Sequence, residues 1–157
     1  DNYTAMLPVL KKYNFKATVF VITGKIDKSC NFLKTKQLLE MEQYGIDIES
    51  HTVNHDKLEK ISKNKQLKTL IQSKKYLEKT LDKQINFFAY PYGGYNQRAI
   101  KSLKEAGYKM AFTTESGWSS KRNGMLSLHR VWVGPSDSMK VFHNKISNPN
   151  YKFLNLL

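Results

Sequence analysis

The sequence holds a single cysteine, Cys30, so neither an internal disulfide nor a cysteine-based metal site can be built from it. Cys30 lies in a polar, loop-like stretch and reads as incidental rather than catalytic. No apolar run approaches the roughly 20 residues that span a bilayer. No secretory leader is visible. The chain opens on Asp1-Asn2-Tyr3, and an amphipathic run is under way within a few residues, which reads as a cut rather than a natural start. Repeats and low-complexity linkers are absent too. Acidic residues are scarce, with 13 Asp plus Glu against 26 Lys plus Arg, a formal charge of +13. Three explanations compete for that charge: nucleic-acid binding, work against an anionic cell wall, and a Lys-rich proteome. The lysines are scattered and no recognition motif accompanies them, which argues against nucleic acid as a partner. What is present is enough apolar residue, 40% of 157, to build one domain with a real core.

Strand and helix signals alternate. Thr4 to Tyr13 suits a short amphipathic helix ending near Asn14, with Pro8 tolerable only in its first turn. Ala17 to Ile22 is β-branched and apolar throughout, as in a strand buried on both faces. A helix is expected over Thr35 to Tyr44 with Leu38, Leu39 and Met41 inward and Gly45 as its stop, then a strand over Ile46 to Ser50. Lys65 to Leu81 is the longest helix, its inner stripe Leu67, Leu70, Ile71, Ser73, Lys74, Leu77 and Leu81. Strands at Ile85–Tyr90, Tyr108–Thr113 and Leu126–Val133 follow, with helices from Asn96 to Ala106 and from Ser138 to Ile146. The pattern predicts an α/β fold with a mainly parallel sheet, open or closed into a barrel, whose ligands gather at the C-terminal strand ends.

Two histidines stand at one such end. His51 and His55 are four apart and face the same way if the chain turns helically after its strand; imidazole suits zinc or a similar divalent ion. Asp47 and Glu49 share strand parity with His51, yet are read as non-ligands, and Asp56 as a helix cap or a supporting partner. The next strand ends in Tyr90-Pro91-Tyr92-Gly93-Gly94-Tyr95, a rigid aromatic loop able to pack on a sugar ring or simply to turn the chain. Trp118, beside Gly117, either walls a ligand or covers a barrel end.

Together Lys16–Ile22, Ile48–His55 with its H-T-x-x-H, Phe88–Gly93 with its Y-P-Y-G, and Ala106–Thr114 resemble the polysaccharide deacetylases with a nodulation-protein-B-type domain, carbohydrate esterase family 4. The resemblance covers roughly residues 1 to 145 and is nearest to the poly-N-acetylglucosamine deacetylase branch. It implies a distorted (β/α) barrel, a single domain lacking its first strand and acidic motif. It implies removal of N-acetyl groups from an N-acetylhexosamine polymer such as chitin, peptidoglycan or poly-N-acetylglucosamine. It also implies a divalent metal, usually zinc, held by one Asp and two His, matched by His51 and His55. Tyr92 N–H would hold the oxyanion, and Tyr90, Pro91, Tyr92, Gly93, Tyr95 and Trp118 would meet the polymer. The paired aspartates of the family's T-F-D-D-G motif are expected before Asp1, so this stretch alone should have little activity. Ala89 replaces the Arg that many members carry in R-x-P-Y. His129 lacks the Leu of the later L-x-H motif and reads as a strand residue. A secreted or surface location follows from the same resemblance. The alternative is a catalytically dead carbohydrate-binding surface module on the same fold.

Overall fold

The structure, a computed structural model, describes residues 2–150. One π-helical turn, Asn2–Met6, leads into α1 (Leu7–Tyr13), where Pro8 occupies the first turn and Asn14 closes the helix in a left-handed conformation. The order continues β1 (Thr18–Val21), α2 (Thr35–Tyr44), β2 (Asp47–Ser50), α3 (Lys63–Leu81), β3 (Phe87–Ala89), α4 (Gln97–Glu105), β4 (Met110–Ser116), β5 (Leu128–Arg130) and α5 (Met139–Ser147). The five strands are parallel in the order β1-β2-β3-β4-β5. Parallel neighbours need long crossovers, and α2, α3 and α4 provide the first three.

The sheet curls. In a flat sheet β1 and β4 would lie on the order of 14 Å apart. Instead Phe20 of β1 and Phe112 of β4 bring their ring centroids to 5.6 Å. That contact makes the sheet an arc of a barrel rather than an open plane. On its convex side Leu38 and Met41 of α2, Leu70 and Leu77 of α3, and Leu103 of α4 are fully buried against Ile48, Phe88 and Ala111.

Helix stops and caps follow the expected chemistry. Gly45 ends α2 at φ 94°, a conformation that costs glycine nothing. Ser62, Asn96 and Ser138 each accept a backbone N–H through the side chain at a helix start.

Several expectations need correction. Leu39 of α2 and Ile71 of α3 face solvent rather than the core. The buried face of α3 is Gln66, Thr69, Leu70, Ser73 and Leu77, so it is largely polar. Hydrogen bonding makes that tolerable: Gln66 donates to Leu58 O at 2.7 Å and accepts from Ser102 Oγ at 2.8 Å. β1 is not buried on both faces, because Phe20 on its inner side lines a cavity of about 340 Å³ shared with His51. β4 runs on to Ser116 and β5 is shorter than expected; a register shift separates their two pairings, Phe112 with Leu128 and Ser116 with Arg130.

Phe88 is fully buried with its ring edge-on to Tyr90 and tilted against Tyr108, both centroids at 5.4 Å. Phe88→Ala is expected to cost about 3–5 kcal/mol in urea unfolding, the range for a large buried aromatic; a loss below about 1 kcal/mol would contradict this packing.

Candidate functional site

His51 leaves β2 with its backbone N–H bonded to Val21 O at 3.0 Å, so its Cα is held by the β1–β2 pairing. Its Nδ1 lies 2.6 Å from Ala89 O at the end of β3. A carbonyl can only accept, so Nδ1 carries the proton and Nε2 presents a lone pair. His55 Nε2 stands 3.0 Å from His51 Nε2. Two ligands about 2.0–2.1 Å from one ion at a near-tetrahedral angle lie roughly 3–3.4 Å apart. The spacing of the two nitrogens therefore fits one divalent ion. Among the described residues no group of three His, Cys, Asp or Glu side chains surrounds such a point, so the pair supplies two donors.

The histidines do not converge through a helical turn, as the four-residue spacing suggested. Residues 51–57 form no helix. Thr52 and His55 instead take left-handed backbones, at φ 66° and 63°. For a β-branched threonine this is costly, on the order of 1–3 kcal/mol, and survives only where neighbours fix it. They do. Thr52 O accepts from Thr23 N–H at 3.1 Å, Thr52 Oγ1 accepts from Asp56 N–H at 3.0 Å, and Val53 O accepts from Gly24 N–H at 2.8 Å. A Cβ at Gly24 would sit 2.6 Å from Val53 O, so only glycine permits that last bond. From α3, Thr69 Oγ1 accepts from Val53 N–H at 3.1 Å and donates to Asp56 Oδ2 at 2.7 Å. Asp56 is thus a supporting partner and not a helix cap. Below His51, Ser50 Oγ meets Ser73 Oγ and Tyr108 OH, each at 2.8 Å.

The other two acids of β2 are engaged elsewhere. Asp47 pairs with Lys83. Glu49 accepts Asn86 N–H at 3.1 Å and Phe87 N–H at 2.8 Å, bridging to the start of β3. Burial pushes the Glu49 carboxyl up to about 7, against the pull of those amides. Burial also drives His51 down to about 4, opposed by the Ala89 carbonyl and assisted by His55 and Arg130.

The aromatic loop divides sharply. Tyr90 is 1% exposed, stacks on Tyr95 at 5.2 Å and gives its hydroxyl to Leu126 O. Pro91 and Gly93 are also buried. Tyr90, Pro91 and Gly93 thus pack beneath the loop, since the strand end feeds straight into the core. Gly93, at φ 76°, would place a Cβ 2.6 Å from Thr114 N, which explains the glycine. Tyr92 is different. It is 62% exposed, holds φ 59°, and lays its ring 4.4 Å from that of His55, with Lys57 Nζ 4.6 Å from the Tyr92 centroid. Tyr95 OH reaches Glu115 at 3.2 Å. Trp118, 44% exposed, donates its indole N–H to Lys145 O at 2.9 Å and so lies beyond β4, against the C-terminal end of α5. His129 lies in β5, as expected, and its Nε2 is 2.9 Å from Glu115 Oε2.

Sequence reasoning missed Arg130. It pairs in register with Ser116, two residues beyond the Phe112–Leu128 pair that faces the barrel interior, so it shares that inner face. Its Nε donates to Thr113 O at 2.8 Å, and its charge reaches His51. Strand parity from Leu128 was the signal that could have found it.

Residues 1–111 match the family model described as polysaccharide deacetylase, and the chain belongs to that family. A poly-beta-1,6-N-acetyl-D-glucosamine N-deacetylase of Staphylococcus epidermidis is 39% identical over 126 residues, covering 72% of this chain and 44% of the relative. The Bacillus subtilis (strain 168) protein YxkH, which carries a polysaccharide deacetylase name, is 42% identical over 142 residues, covering 90% of this chain and 50% of its own length. The chain thus spans about half the length of the curated relatives it matches. Among solved structures, the Streptococcus pyogenes deacetylase PplD in complex with acetate shares 38% identity at a TM-score of 0.90, covering 94% of this chain and 66% of that one. BC0361, a polysaccharide deacetylase from Bacillus cereus, gives 26% identity and a TM-score of 0.85, covering 94% of this chain and 48% of that one. The curled parallel sheet is therefore the barrel arc of this family.

In the metal-free protein, NMR titration of the imidazoles is expected to place His51 near 4, with its Nδ1 protonated throughout the neutral range. The unfolded chain takes up a second imidazole proton below 6.5 that the folded ring resists until about 4, so this residue's contribution to stability is lost as pH falls from 6.5 through 4. A His51 midpoint at or above 6.5 would remove the basis for its buried, neutral state.

Proposed function

We propose that this chain forms the metal-binding half of a secreted or surface enzyme that hydrolyses N-acetyl groups from an N-acetylhexosamine polymer. The observation that carries the proposal is the 3.0 Å approach of two imidazole Nε2 atoms at a strand exit, beside the exposed Tyr92. Family membership and the names of the relatives supply the reaction class. Poly-N-acetylglucosamine, peptidoglycan and chitin-like chains are the candidate polymers.

His51 and His55 are the proposed ligands, and zinc suits two neutral imidazoles. A carboxylate outside the described residues is proposed as the third protein ligand, with a second as base. The bound ion would polarise the acetamide carbonyl and acidify a water. The Ala89 carbonyl keeps His51 in the tautomer whose Nε2 can bind, and burial keeps it unprotonated. Tyr92 N–H is the proposed donor to the developing oxyanion. Tyr92 takes a left-handed backbone, φ 59°, in this turn. The exposed rings of Tyr92 and Trp118 are proposed to flank the sugar, with Tyr95 behind them. A basic surface, at +13, would favour an anionic wall over repulsion from it.

In the whole protein, His51→Ala and His55→Ala are each expected to lose the metal, read by elemental analysis, and to lower acetate release from the polymer by at least about a thousandfold. Unchanged metal content in either variant would defeat the assignment. Tyr92→Ala keeps its N–H and loses its ring. Acetate release is expected to fall about tenfold or more while the melting temperature holds within about 2 °C, since the ring is exposed. Polymer retention without metal-dependent acetate release would favour the inactive binding module.

A further inference from the structure

Lysines scattered along the sequence are gathered by the fold onto one face of α3. Lys65, Lys68, Lys75 and Lys79 recur at three- and four-residue steps through Gln72, so they share one stripe of the helix. All five of these side chains are exposed, and the buried side of α3 lies opposite. From Lys65 to Lys79 the stripe runs roughly 21 Å. Its upper end stands beside the histidine loop: Lys65 and Lys68 line a hollow of about 300 Å³ together with Asn54 and Gln72. Asp56 lines the same hollow, with its Oδ2 taken by Thr69 Oγ1.

Among the described residues none of these four ammonium groups has an acidic partner, whereas Lys63, Lys74 and Lys83 each have one. Glu78, the one acid of α3, is held by Lys74 and by the Ile85 N–H. Like charges three and four residues apart on a helix repel, and the stripe contains two such pairs, Lys65 with Lys68 and Lys75 with Lys79. An anion laid along the stripe relieves that repulsion. The stripe carries no apolar residue, so it lacks the apolar centre of a protein interface. It also lacks a row of rings for bases to stack on, since Tyr76 beside it is the one aromatic residue of α3. A flexible, hydrophilic chain with closely repeated negative charges fits both its charge and its length.

We propose that this stripe of α3 is a docking surface for an anionic wall polymer of the polyol phosphate class. The choice of occupant rests on the surface location proposed above. The phosphodiesters meet Lys65, Lys68, Lys75 and Lys79 on the outside of the barrel arc. The stripe holds the protein against the wall by charge, while the histidine pair acts on an uncharged acetamide.

The test uses the whole protein in three forms: the wild type, a stripe variant (Lys65→Gln, Lys68→Gln, Lys75→Gln and Lys79→Gln), and a control variant (Lys36→Gln, Lys101→Gln, Lys104→Gln and Lys140→Gln). The control loses the same charge from other exposed positions. The probes are a soluble polyglycerol phosphate and a single-stranded oligonucleotide of equal charge, titrated calorimetrically at several salt concentrations. The wild type is expected to bind polyglycerol phosphate at physiological ionic strength. The stripe variant is expected to lose about tenfold or more in affinity, with a log–log salt slope shallower by roughly three, and the control less than about twofold. No binding by the wild type, equal losses in the two variants, or tighter binding of the oligonucleotide would overturn the proposal. Acetate release from a neutral β-1,6 N-acetylglucosamine hexamer is expected to be unchanged in the stripe variant. If the wild type releases no acetate yet binds polyglycerol phosphate through the stripe, the hydrolase reading fails and the docking surface stands.

Discussion

The site depends on one hydrogen bond, from His51 Nδ1 to the carbonyl of Ala89. It joins the end of β2 to the end of β3 and decides which imidazole nitrogen is bare. Without it the ring could rotate, its proton could change sides, and the approach to His55 would have no fixed direction. The bond exists because β2 and β3 are parallel neighbours with Ser50 opposite Phe88, which puts residue 51 beside residue 89. Sheet register thus sets the chemistry of a side chain.

Around that bond the protein concentrates unfavourable backbone. Thr52, His55 and Tyr92 all take left-handed conformations without being glycine. They lie in the two loops that carry the imidazole pair and the exposed ring. Hydrogen bonds from Thr23, Gly24 and Thr69 hold the first loop. Strain gathered at a site and restrained from outside is the usual mark of a preorganised one.

Much of this was legible in the residues. The alternation of elements, the helix stops at Asn14 and Gly45, the histidine pair and the aromatic turn all depend on local chemistry, which periodicity and turn residues report. What was not legible depends on partners far along the chain. Gln66 looks like a surface residue until Ser102 is placed against it. Tyr90 looks like Tyr92 until the core closes over it. Arg130 acquires meaning only when β5 is set beside β4. The spacing of His51 and His55 pointed to convergence, but by a helical route the chain does not take.

Glu49, in β2, and His51, just past its end, are two residues apart and titrate in opposite senses. The folded state holds a proton on Glu49 that the unfolded chain releases above 4.5, so that contribution fades as pH climbs toward 7. His51 contributes the reverse slope between 4 and 6.5. Across mildly acidic conditions the two trends oppose each other on adjacent turns of the pleat. Between 4.5 and 6.5 the protonation of these two neighbours therefore adds little net pH dependence to folding.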